Sequence, residues 1–137
     1  MAKAPHVLLV DDDRDFREIT REVLKRHDIM VDVASNGVEA LAVVPKIQPD
    51  IILMDVQMPK KDGIETTVEL NQNPKTKHIK VIFLTNLGDS GVKVTEQNKK
   101  FCQEFGAVDY FKKGGDLNIL AEKIETLSGK DKHNLSE

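Results

Sequence analysis

The chain has a single cysteine, Cys102, in 137 residues. That excludes an internal disulfide and a cysteine-based zinc site, suits a reducing compartment, and leaves a buried, inert thiol as the plainest reading. The four histidines, His6, His27, His78 and His133, lack the short spacings of a histidine metal site and read as surface or satisfied residues. No apolar run approaches the roughly 20 residues that cross a bilayer. The opening MAKAPH lacks the apolar stretch of a secretory signal. A soluble, cytoplasmic protein without a membrane partner is expected. The net charge of −3 gives no general pull towards nucleic acid, and Lys93, Lys99 and Lys100 read as a solvated helix face. This length holds one domain with its own core and leaves no room for a second catalytic one.

What is present is an alternation of short apolar runs with helical periodicity. Val7 to Val10, Ile51 to Met54 and Val81 to Leu84 are too short for helices and continuous enough to be strands covered on both faces. Met30 to Ala34 alternates apolar and polar, and Ala107 to Phe111 predicts a fifth strand. Between them, Phe16, Ile19, Val23 and Leu24 recur at helical spacing after Asp15 and Glu18, which resemble a capping box. Asn36 and Glu39 cap a second helix, in which Pro45 should bend or end the run. A third helix runs through Ile64, Val68 and Leu70 to Asn73-Pro74. A fourth spans Val92 to Phe105, stopped by Gly106. A fifth is capped by Asp116, with Leu117, Leu120, Ala121, Ile124 and Leu127 on its apolar face. Five strands alternating with five helices imply an α/β sandwich around a parallel sheet with right-handed crossovers. Residues 1–128 form the domain and 129–137 a polar C-terminal tail.

In such sheets ligands bind beyond the carboxyl ends of the strands, so the residues just after each strand carry the chemistry. These are Asp11 and Asp12, Asp55, Thr85 and Lys113. Each alone has an ordinary explanation: a helix cap, a strand terminator, a satisfied hydroxyl, a surface lysine. Together they place three carboxylates at one sheet edge, where they repel unless a cation joins them. A hard divalent ion such as Mg²⁺, which is held by one or two carboxylates plus phosphate oxygens, resolves that conflict.

Leu9-Val10-Asp11-Asp12-Asp13, Leu53-Met54-Asp55-Val56-Gln57-Met58-Pro59, Asp62-Gly63, Leu84-Thr85 and Gly106-Ala107-Val108-Asp109-Tyr110-Phe111-Lys112-Lys113 resemble the successive signatures of receiver domains of two-component response regulators, in particular those of the stand-alone chemotaxis-regulator type. The resemblance covers roughly Val7 to Leu127. It implies a flavodoxin-like, doubly wound (βα)5 three-layer sandwich with strand order 2-1-3-4-5. It also implies a phosphorelay signalling protein rather than an enzyme with turnover. Asp55 would accept a phosphoryl group from a histidine kinase or histidine phosphotransfer protein. Asp12 would bind Mg²⁺ directly, Asp11 through water, Asp55 alongside them, and the backbone carbonyl of Gln57 would complete the metal ligands. Lys113 would offset phosphoryl charge. Thr85 and Tyr110 would switch the face formed by the fourth helix, fifth strand and fifth helix to control an unnamed downstream protein, the domain itself being a monomer or weak dimer.

Three departures from the family pattern stand out. Gly114 follows Lys113 where the family has a proline after a cis bond, Asn86 replaces a small residue, and the stretch after Thr85 is longer than expected. Leu87, unable to orient a water, implies slow autodephosphorylation. These departures are the warrant for an alternative, a receiver-like interaction module that works without phosphorylation. A second rival is a phosphohydrolase of the haloacid dehalogenase type, with Asp11 as nucleophile and Asp13 as general acid. It is disfavoured because no further acidic pair follows Lys113 on a strand.

Overall fold

The computed structural model describes residues 4–58, 61–85, 100 and 102–129. The strands are β1 (His6–Val10), β2 (Met30–Ala34), β3 (Ile51–Asp55), β4 (Lys80–Thr85) and β5 (Asp109–Lys112). They alternate with α1 (Arg14–Arg26), α2 (Gly37–Ile47), α3 (Gly63–Gln72), α4, of which residues 102–105 are described within the segment, and α5 (Leu117–Leu127). The sheet is parallel throughout, in the order β2-β1-β3-β4-β5.

The continuous apolar runs explain why β1, β3 and β4 lie at the centre. Successive side chains on a strand point to opposite faces, so a run without polar interruption needs cover on both. Leu8, Val10, Ile52, Met54, Val81 and Phe83 face one core with Ala40, Val44 and Leu70. Val7, Leu9, Ile51, Leu53, Ile82 and Leu84 face the other with Leu24, Leu120, Ala121 and Ile124. Helices α2 and α3 therefore cover one side of the sheet, and α1 and α5 the other. The less apolar β2 and β5 take the edges, and Met30 and Val33 on β2 remain exposed. Cys102 is buried in the first core, where burial pushes its thiol up to about 11, in keeping with an inert filler.

Several local expectations hold. Asn36 Oδ1 accepts from the Glu39 amide, Asp116 caps α5, and Gly106 ends the α4 segment at φ +90. Others need correction. Helix α1 begins at Arg14, so its cap is Asp13, whose carboxylate accepts from the amides of Asp15 and Phe16; Glu18 pairs instead with Arg14. Ile19 points to solvent at 59% exposure, while Thr20, one residue on, is fully buried. Pro45 does not end α2, which runs on to Ile47 before Gln48 turns left-handed, because a proline in the last turn forfeits only one hydrogen bond. Strand β4 extends one residue at each end, and β5 starts at Asp109 because the Ala107 amide is tied back to the Cys102 carbonyl. The part of the expected fourth helix that precedes residue 100, with Lys93 and Lys99, and the expected tail from residue 130 fall outside the described residues.

Thr20 gives a test of packing. Its hydroxyl is fully buried and has no hydrogen-bond partner among the described residues, so it is desolvated for no return. Thr20→Val removes that loss at nearly constant shape and is expected to be neutral or to stabilise by up to about 1 kcal/mol in urea denaturation. Destabilisation beyond about 1 kcal/mol would show that the hydroxyl has a partner.

Candidate functional site: an acidic cluster at the strand ends

Asp11, Asp12, Asp55, Gln57, Thr85, Tyr110 and Lys113 are all described, and those at the strand ends come together. Asp11 follows β1 and is fully buried, Asp12 beside it is exposed, and Asp55, the last residue of β3, is buried. Carboxylate oxygens of these three residues lie within 4.8 Å of one another. Lys113, just past β5, reaches across: its Nζ is 2.8 Å from Asp11 Oδ2 and 3.6 Å from Asp55 Oδ2. Its backbone is held to the next strand, with the Lys113 amide donating to the Thr85 carbonyl at 2.8 Å. Thr85 at the end of β4 is buried, and its hydroxyl has no partner among the described residues.

The departure at Gly114 does not displace this lysine. No cis peptide occurs among the described residues, so the bond before Gly114 is trans. Gly115 donates to the Lys112 carbonyl at 3.0 Å and Gly114 has φ +95, a type II turn whose third position favours glycine. Lys113 occupies the second position of that turn.

Three carboxylates against one ammonium leave uncompensated negative charge, and Asp55 carries most of the consequence. Burial, then the Asp11 charge and to a lesser degree Asp12, outweigh the Lys113 ammonium and the Gln57 amide; together they lift its carboxyl from 3.8 to about 7. For Lys113, burial lowers the value, but the hydrogen bond with Asp11 and the charges of Asp11, Asp55 and Asp13 outweigh it, and the net shift is upward. A hard cation fits this donor set: every candidate ligand is an oxygen, one acid is open to solvent, and added positive charge relieves the acid that the bare protein disfavours.

Not every expectation is placed equally. The Gln57 amide donates to Asp55 Oδ1 at 3.2 Å; the proposed role belongs to its carbonyl. Tyr110 on β5 is half-buried against the α3 side of the sheet, next in register to Phe83. Asn86 and Leu87 lie outside the described residues. Asp13 is committed to capping α1 and donates its own amide to Asp11 Oδ1 at 2.9 Å, which leaves it poorly placed as a general acid.

Three further residues shape the site. Arg17 Nη1 donates to the Asp11 carbonyl at 2.7 Å. The ring of Phe16 lies under Lys113, with Nζ 4.8 Å from its centroid. Gly63, the first residue of α3, lies against the backbone of Asp55: a Cβ there would come within 2.0 Å of the Asp55 carbonyl oxygen. Gly63 was visible as half of a motif, without its reason; Phe16 read only as a helix residue, and nothing in the sequence singled out Arg17.

Residues 7–125 match the profile of the response regulator receiver domain. The chain belongs to this family. This receiver domain is 37% identical over 110 residues to the chemotaxis protein CheY of Halobacterium salinarum, covering 80% of this chain and 85% of that one. It is 40% identical over 121 residues to the transcriptional regulatory protein CpxR of Klebsiella pneumoniae, covering 88% of this chain but 48% of CpxR. The receiver domain of Francisella response regulator 1452 superposes with a TM-score of 0.80 at 27% identity, over 93% of this chain and 98% of that one. The expected flavodoxin-like order of strands is the order observed. No described helix is long and apolar enough to cross a membrane.

Proposed function

We propose that this receiver domain takes a phosphoryl group on Asp55 from a phosphohistidine donor, a histidine kinase or histidine phosphotransfer protein, and that the modified domain then changes its affinity for a protein partner. The observation that carries the reading is the geometry of Asp55. It is a buried carboxylate at a strand end, flanked by two further acids and faced by a lysine ammonium.

In the transfer, a carboxylate oxygen of Asp55 attacks phosphorus. The O–P bond forms as the N–P bond of the donor breaks, and the bonding pair leaves with the imidazole, which takes up a proton. The product is an acyl phosphate. Lys113, 3.6 Å from Asp55 Oδ2, stands where it can bind a phosphoryl oxygen and offset its charge. Asp11, Asp12 and Asp55, with the Gln57 carbonyl, would hold Mg²⁺, which supplies charge neutralisation at the phosphoryl oxygens. The hydroxyl of Thr85, which has no partner among the described residues, supports a role as donor to the new phosphate. Because Thr85 and Tyr110 lie on the paired strands β4 and β5, a shift at Thr85 can be passed to Tyr110 and the α4–β5–α5 face. Couplings of this kind are on the order of 1–3 kcal/mol, enough to change partners. The domain as proposed occupies residues 1–128 and acts in the cytoplasm as a monomer or weak dimer.

Incubation with acetyl phosphate and Mg²⁺ tests this reading. Intact mass should show one added phosphoryl group, which does not form when EDTA is present during the incubation or in Asp55→Asn. An addition that persists in Asp55→Asn, or none despite measured Mg²⁺ binding, contradicts it.

A further inference from the structure

We infer that Phe16 is a positioning residue for Lys113, an aromatic platform that holds the ammonium over the acidic cluster; the inference rests on the phospho-acceptor reading and adds a residue to it. The root of Lys113 is fixed by its amide hydrogen bond to Thr85, but it is followed by Gly114 and Gly115, whose turn constrains only the backbone. A lysine stem has several rotatable bonds, and its ammonium would swing between the carboxylates and solvent unless something closed the open side. Asp11 and Asp55 hold the ammonium from one direction. The Phe16 ring, 4.8 Å from Nζ, meets it from another with the negative face of its π system, in a region where only 16% of the lysine side chain is exposed.

The ring is itself held in place. Phe16 lies in the first turn of α1, and its amide donates to Asp13 Oδ1 at 3.2 Å. Asp13 in turn donates its amide to Asp11 Oδ1, so the cap ties the helix start to the acid that pairs with Lys113. The ring body packs against the core that contains Leu9, Leu53 and Leu84. The third acid of the Asp11-Asp12-Asp13 run thus acts on the lysine through the ring it orients. A leucine at position 16 would fill the apolar space but offer no π face.

The test compares Phe16→Leu and Phe16→Tyr in the full chain, alone and with Lys113→Met. Phe16→Leu should slow phosphorylation by acetyl phosphate about three- to tenfold, as expected for a lost cation–π contact, and Phe16→Tyr should restore it. In the Lys113→Met background Phe16→Leu should have no further effect. The methylene protons of Lys113 next to the ammonium should be shifted upfield by the ring current in the wild type and return to ordinary values in Phe16→Leu. Unchanged rates in Phe16→Leu, an equal slowing with and without Lys113, or ordinary methylene shifts in the wild type overturn the inference. Absence of phosphorylation in the wild type itself overturns the phospho-acceptor reading and this inference with it. That outcome is distinct from a normally phosphorylated wild type whose Phe16→Leu variant behaves identically.

Discussion

Asp55→Asn is expected to make the metal-free protein more stable than the wild type at pH 8, by about 2–4 kcal/mol, although it removes the proposed reactive group. The carboxyl titrates near 3.8 when unfolded and near 7 when folded. A group whose folded value is raised contributes stability that is fully present below the unfolded value and is lost as pH rises through the folded one. The wild type without metal should therefore weaken between about pH 4 and pH 7. Asparagine carries no charge at any pH, and its side-chain oxygen can still accept from the Gln57 amide, so the variant should lack that slope. In thermal melts in EDTA at pH 8 the difference corresponds to a rise of roughly 6–15 °C in Tm. Mg²⁺ should then narrow the gap, since a ligand at a hundredfold its Kd stabilises by about 2.7 kcal/mol and the wild type offers it one more charged ligand. Equal Tm values at pH 8 in EDTA, or parallel pH profiles for the two proteins, would show that Asp55 is not the acid that the cluster disfavours.

The second large effect concerns backbone rather than charge. Gly63→Ala should destabilise the fold by about 3 kcal/mol or more, because the added carbon would meet the Asp55 carbonyl oxygen at 2.0 Å and Met54 Cγ at 2.8 Å. The side chain of Met54 could move aside, but the Asp55 carbonyl belongs to a central strand paired with β4 and has no room to retreat. Either α3 backs away from the sheet or the end of β3 shifts, and the second route moves the acceptor itself. Guanidinium or urea denaturation should show the loss, accompanied by weaker Mg²⁺ binding in the surviving folded protein. A variant within about 1 kcal/mol of wild type would mean that α3 is not seated on the acceptor strand.

Much of this architecture was legible because hydrophobic runs and strand ends are written in a short-range code. Val7 to Val10, Ile51 to Met54 and Val81 to Leu84 announce doubly covered strands, and in a parallel sheet the polar residues that follow them share one edge. That placed Asp11, Asp12, Asp55, Thr85 and Lys113 without any knowledge of distances. Cap identity and helix phase were less legible. With three acids in a row and a fourth at Asp15, side-chain type alone does not choose the cap; the extended backbone of Asp13 does. Ile19 matched a helical period, yet the face of α1 was set by Leu24 meeting the sheet, which turned Thr20 inward. The contacts of Gly63 with Asp55 and of Phe16 with Lys113 join residues far apart or unremarkable in sequence, and only the fold brings them together. The same holds for Gly114: its sequence signalled a lost family feature, and the turn it forms still delivers Lys113 to Asp11.

The central claim, that Asp55 among three clustered acids is the phosphoryl acceptor, is tested most directly by reductive trapping. Protein incubated with acetyl phosphate and Mg²⁺ is treated with borohydride, which reduces an acyl phosphate to the alcohol, and then digested for peptide mass analysis. The account predicts homoserine at position 55, dependent on the divalent cation, and unmodified aspartate at positions 11 and 12. Homoserine at position 11 or 12, or none at any of the three, would contradict it.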